Sequence, residues 1–152
     1  MARTYRLSSG RRLVNAVIRP LARRGLAGPH TYVLTVPGRR TGRLYSTPVT
    51  LVEDGAGRWL VAPYGDVGWV LNARPAGMVT LSRAGRSEQV SLTELGSAEA
   101  APILKRYVAD VAVTRPFFDA RPADPVGAFE TEARSHPVFR LGVQSFQNAP
   151  AA

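Results

Sequence analysis

The sequence predicts a mainly β domain with flanking helices (α+β), closed into a small barrel. Three observations predict it. Short β-rich or alternating segments follow one another after residue 30, glycine-bearing turns separate several of them, and helical patterns sit at the margins. At 152 residues the chain fits one domain with a substantial core and one site.

The strands are expected at Thr31–Val36, Leu44–Glu53, Arg58–Ala62, Met78–Arg83 and Arg86–Leu95. Asp54-Gly55-Ala56-Gly57 and Arg83-Ala84-Gly85-Arg86 supply the glycines that hairpin turns need. Asp66–Arg74 reads as a short helix capped by Asp66 and stopped by Pro75 and Gly77. Ser97–Asp110 reads as a second helix, capped by Ser97, with Glu94 and Glu99 near its positive end. Thr114–Pro125 is Pro-punctuated, Val126–Arg134 is a further helix, and His136–Val143 is a closing strand. Before the barrel, residues 8–26 form a basic amphipathic helix whose stripe is Leu13, Val14, Val17, Ile18 and Leu21. It either docks on the domain or lies on an anionic membrane. The expected organisation is therefore a basic amphipathic helix over residues 1–28, a barrel domain over 29–147 and a disordered tail over 148–152.

Composition narrows the chemistry. The chain has no cysteine, which removes thiolate nucleophiles, disulfides and Cys-based metal sites. His30 and His136 are far apart and each adjoins a proline, so no metal site and no Ser-His-Asp relay is expected; both read as ordinary loop or strand residues. Lys and Arg number 20 against 11 Asp and Glu, and ten arginines precede the first acidic residue, Glu53. Guanidinium groups grip phosphate and carboxylate bidentately, so an acidic partner is implied. Nucleic acid is disfavoured because the basic strands 44–53 and 78–95 carry only Tyr45 as an aromatic platform. No apolar run approaches the roughly 20 residues of a membrane span. A cytoplasmic location, with peripheral contact at the inner membrane face through residues 8–26, is the expectation.

Three pieces carry the site. Val36-Pro37-Gly38-Arg39-Arg40-Thr41-Gly42-Arg43 is an anion-binding loop: glycines let the backbone approach a ligand, and arginines with exposed amides neutralise phosphate. Its glycine spacing is that of neither a P-loop nor a dinucleotide fingerprint. The next strand, Leu44-Tyr45-Ser46-Thr47-Pro48-Val49, must bulge or form an edge at Pro48, which lacks a ladder donor. Third is Val61-Ala62-Pro63-Tyr64-Gly65-Asp66, leading into the helix of Trp69 and Asn72, where Trp69 reads as a core anchor.

Gly38-Arg39-Arg40-Thr41-Gly42, then Thr47-Pro48, then Trp69-Val70-Leu71-Asn72-Ala73-Arg74, in this order, resembles the deazaflavin-dependent nitroreductase family, reductases that use coenzyme F420. That resemblance implies a split β-barrel of the FMN-binding-protein type. It implies that Arg39, Arg40 and Thr41 hold the coenzyme's phosphate and acidic tail. Tyr45, Ser46, Thr47, Pro48 and Val49, with Val61, Ala62, Pro63 and Tyr64, would line the ring and ribityl region. Gly68, Trp69, Val70, Leu71 and Asn72 would present a helix N-terminus beside it. The chain departs from the family pattern at Arg40, where many relatives have lysine, and at Pro63-Tyr64, where they often have Ser-Lys. Arg39 and Arg40 should then carry more of the tail binding.

The implied activity is hydride transfer from reduced F420 to an electron-poor small molecule such as a quinone, enone or nitro compound. Because such a cofactor carries the reactivity, a chain poor in His and without Cys can still be an enzyme. Tyr64, Ser46 and Tyr107 are the candidate proton donors, with water as the alternative. An FMN-binding oxidoreductase and a non-catalytic F420 carrier are the other readings. Oligomeric state is left open.

Overall fold

A computed structural model describes residues 29–142 of the chain. The helix expected over residues 8–26, the tail and Val143 lie outside these residues. Among them, six strands close an antiparallel barrel in the order β1-β2-β3-β6-β5-β4. The strands are β1 (Thr31–Pro37), β2 (Leu44–Asp54), β3 (Gly57–Val61), β4 (Met78–Arg83), β5 (Arg86–Glu94) and β6 (Val138–Leu141). Helix α1 (Gly68–Ala76) joins β3 to β4. Between β5 and β6 come α2 (Ser97–Asp110), a 3-10 helix (Ala112–Phe117) and α3 (Val126–Glu132). The expected mainly β barrel with flanking helices is thus the observed architecture.

β2 serves two neighbours in succession. Leu44–Thr50 pairs with β1, and Leu51–Asp54 pairs with β3. The expected bulge at Pro48 is absent, because the β1–β2 register runs unbroken from Thr31↔Thr50 to Pro37↔Leu44. Pro48 is accommodated as an edge residue instead. Leu51 N–H donates to His30 O, and antiparallel alternation then directs the Pro48 nitrogen away from β1, toward the edge that β3 does not reach.

The helices differ from expectation at their ends. Val67, not Asp66, is the N-cap of α1, and Asp66 instead pairs with Arg74 at 3.0 Å. Pro75 sits inside the last turn, and Gly77 ends the helix with φ 67°, its N–H donating to Ala73 O. Gly96 caps α2, so Ser97 is its first helical residue. Glu94 is drawn away from that helix to Arg74, with contacts of 2.9 and 3.1 Å. α3 ends at Glu132 and β6 starts only at Val138, after Pro137.

Two cores follow from the period-2 alternation of the strands. Leu34, Val36, Leu51, Leu60, Leu81, Val90 and Phe139 fill the barrel, and Val70 and Ala73 of α1 join them. On the other face of β2, β3 and β6, Val52, Val61 and Val138 meet Leu104, Tyr107 and Val108 of α2 and Phe129 of α3. Beyond the apolar fill of the barrel lies a polar cluster. Tyr32 donates to Glu53 at 3.0 Å, Arg58 bridges Glu53 at 2.9 Å and Glu88 at 2.6 Å, and His30 Nδ1 lies 3.1 Å from Glu53. Burial pushes the Glu53 carboxyl up, but His30, Tyr32 and Arg58 outweigh it and hold the group below its ordinary value of 4.5.

Two outcomes are expected. Phe139→Ala, which removes a 2% exposed ring from the closing strand, destabilises the chain by about 3–5 kcal/mol in urea unfolding. Because the folded-state pKa of Glu53 is depressed, its contribution is present above 4.5 and is lost as pH falls through the lower folded value. The wild-type unfolding midpoint therefore drops more steeply below that pH than that of Glu53→Gln.

Candidate functional site

The loop between β1 and β2 is a tight, internally bonded hairpin. Gly38 N–H donates to Arg43 O at 2.7 Å, Gly42 N–H donates to Gly38 O at 2.9 Å, and Arg43 N–H donates to Thr41 Oγ1 at 3.3 Å. Gly42 holds φ +73°, a left-handed conformation that side chains disfavour. At Gly38 a Cβ would lie 2.8 Å from Tyr45 Cε2, so the Tyr45 ring packs directly over the loop backbone. That ring is 49% exposed, with the Arg43 guanidinium 5.9 Å from its centroid.

Helix α1 ties this loop to the barrel. The side chain of Asn72, 7% exposed, accepts from both Arg39 N–H at 3.1 Å and Arg39 Nη1 at 2.8 Å through the same Oδ1. One buried amide oxygen thereby sets both the loop backbone and the head of Arg39. Arg39, Arg40, Thr41 and Arg43 are exposed, and among the described residues no carboxylate pairs with the three arginines. Three guanidinium groups and a hydroxyl within five positions form a donor set suited to phosphate and carboxylate oxygens.

The segment between β3 and α1 is held from the C-terminal part of the chain. Ala62 N–H donates to Pro137 O at 2.8 Å, and His136 Nδ1 donates to Pro63 O at 2.8 Å. The Tyr64 ring meets Phe117 edge-on at 4.9 Å. Gly65, with φ +83°, passes so close to Ser135 that a Cβ would lie 3.2 Å from its carbonyl oxygen.

The structure brings together only part of the predicted set. Arg39 and Asn72 meet directly. Strand alternation divides the β2 residues: Tyr45 and Thr47 share the face of Val49, which points into the barrel core, whereas Ser46 and Pro48 point to the other face, where Ser46 Oγ bonds Thr35 Oγ1 at 2.8 Å. Val61 is buried under α2 and Ala62 in the barrel, so neither side chain is open to a ligand. Val70 is likewise core, while Gly68 is exposed and Leu71 half-buried. Trp69 packs against the barrel core as expected, 6.2 Å from the Phe139 ring. Tyr107 is 3% exposed, in the core cluster that α2 forms with β2, β3 and β6.

Two residues that sequence reasoning passed over adjoin the site. His136 and Glu132 are 5% and 6% exposed, and His136 Nε2 lies 3.3 Å from Glu132 Oε2. Burial pushes the His136 imidazole below its ordinary value of 6.5, opposed by Glu132, by the carbonyls of Pro63 and Phe117 and by Asp119. Their i,i+4 spacing at the end of a helix was the available signal.

The model of one protein family, F420H(2)-dependent quinone reductase, matches residues 11–117, more than half of the chain. No curated protein matches it. Among solved structures, an F420-H2 dependent reductase, FDR-A, is 19% identical over 74% of this chain and 94% of its own, with a TM-score of 0.52. HutZ, a heme storage protein from Vibrio cholerae, is 9% identical over 86% of this chain and 89% of its own, with a TM-score of 0.53. At these identities the two structures show the shared split-barrel fold alone. With the family model matched across the hairpin, β2 and α1, the chain belongs to the F420H2-dependent quinone reductase family and is an F420-dependent oxidoreductase.

Proposed function

We propose that this oxidoreductase passes a hydride from reduced F420 to an electron-poor small molecule such as a quinone, an enone or a nitro compound. The observation that carries the site assignment is the Arg39–Asn72 contact: a buried acceptor holds an exposed cation in place at a loop with two further arginines. A coenzyme with a phosphodiester and an acidic tail fits that donor set. Arg39, Arg40 and Thr41 bind the anionic part, with Arg43 beside them. Tyr45 and Thr47 on β2 and the Pro63–Tyr64 segment lie along the remainder of the coenzyme. Asn72 acts on the coenzyme through Arg39 rather than by touching it.

When bound, F420 supplies the hydride; the side chains bind, orient and exclude water. Proton delivery falls to Tyr64 or water, since Ser46 lies on the strand face opposite Tyr45 and Thr47 with its Oγ bonded to Thr35 Oγ1, and Tyr107 is buried. The absence of cysteine is no obstacle to such chemistry.

Titration of the purified full chain with F420 and with FMN tests this reading. Saturable F420 binding is expected. Arg39→Ala with Arg40→Ala weakens it about 100-fold and flattens its salt dependence, as loss of two charge-assisted contacts requires. Undiminished affinity in that double variant places the tail elsewhere, and saturable FMN binding with none for F420 overturns the assignment. Asn72→Ala, which frees Arg39 without removing its charge, weakens F420 binding about tenfold in the same titration. Turnover of quinones, enones and nitro compounds with reduced F420 defines the substrate class.

A further inference from the structure

Two polar side chains are buried where the C-terminal part of the chain meets the β3–α1 segment, and neither belongs to the anion loop. Glu132 Oε1 accepts the backbone N–H groups of Asp119 and Ala120, both at 2.7 Å. Its Oε2 faces His136 Nε2 at 3.3 Å, and His136 Nδ1 reaches Pro63 O at 2.8 Å. A carbonyl oxygen only accepts, so Nδ1 carries a hydrogen. The Phe118 ring stacks on the imidazole with centroids 3.9 Å apart and planes 23° from parallel. The neighbouring Phe117 holds the Tyr64 ring.

These contacts form one line from the 119–120 peptide through Glu132 and His136 to Pro63, and a second through Phe118 and Phe117 to Tyr64. A fold has little stability to gain from burying such a pair, because well-packed apolar residues do as well or better. What the pair provides is direction: it aims the Nδ1 donor at the Pro63 carbonyl.

We propose that His136 is a positioning residue for the coenzyme site, held between Glu132 and the stacked Phe118 ring and acting through Pro63 to set where Pro63 and Tyr64 stand against the coenzyme. The inference rests on the assignment of that segment to the coenzyme site. It makes residues after Asp110 part of the site, although none of them belongs to the anion loop or to α1.

Two substitutions separate positioning from folding. In His136→Asn the amide nitrogen sits where Nδ1 does and still donates to Pro63 O; in His136→Gln the amide reaches the Nε2 position and leaves that carbonyl unpaired. The full-length Asn variant is expected to bind F420 within about twofold of wild type and the Gln variant about tenfold more weakly. Hydrogen exchange of the amides of residues 62–67 is expected to quicken in the Gln variant alone. Equal weakening in both variants reduces His136 to a packing role and overturns the inference, as does wild-type affinity in the Gln variant. Faster exchange without weaker binding overturns the link to the coenzyme while leaving the Arg39 assignment intact. Failure of the Arg39 and Arg40 test, by contrast, leaves the exchange comparison readable. Should either variant not fold, the wild-type chain decides: a protected Nδ1–H in nitrogen–proton correlation spectra is expected, and its absence overturns the proposal.

Discussion

Closure of the barrel by β6 is the constraint on which everything else depends. This four-residue strand inserts between β3 and β5, pairing Val61 with Val138 on one side and Leu92 with Leu141 on the other. Without it the sheet has two open edges and Phe139 has no interior to fill. The same register carries Pro137 O to Ala62 N–H and His136 to Pro63, so closing the barrel and shaping the β3–α1 segment are one event. The contacts are distant in the chain, which makes them costly in loop entropy and places them late in assembly.

Helix α1 transmits that order to the anion loop. It begins directly after the segment that the C-terminal residues hold, buries Val70 and Ala73 in the barrel, and turns Asn72 toward Arg39. A nine-residue helix with a proline in its last turn has little intrinsic stability, so its position comes from packing. The cationic hairpin is therefore braced from a helix that is itself braced from the closing strand. An exposed arginine usually samples many rotamers; Asn72 removes part of that freedom before any ligand arrives, which lowers the entropy cost of binding an anion.

The arrangement suits an enzyme whose reactivity resides in its coenzyme. Side chains need supply only charge, shape and a fixed approach, and the described residues offer a charged loop, a rigid aromatic at Tyr45 and a tethered Pro63–Tyr64 segment. The polar cluster of Tyr32, Glu53, Arg58 and Glu88 is saturated by its own ion pairs and stands as a structural seal.

By itself the sequence determined the strand-and-turn pattern, the hairpin at Gly38–Arg43 and the cationic character of that loop. Each depends on interactions between near neighbours: side chains alternating along a strand, glycine freed from Cβ clashes, like charges set side by side. The order of motifs was also legible, and with it the family. Tertiary structure alone decided which residues meet. Arg39 and Asn72 lie 33 positions apart, and Pro63 and His136 lie 73 apart. No local spacing encodes such pairs. The same holds for Tyr107, whose periodicity marks a buried face without saying which surface covers it, and for Pro48, where a missing donor is compatible with either a bulge or an edge until the neighbouring strand is placed.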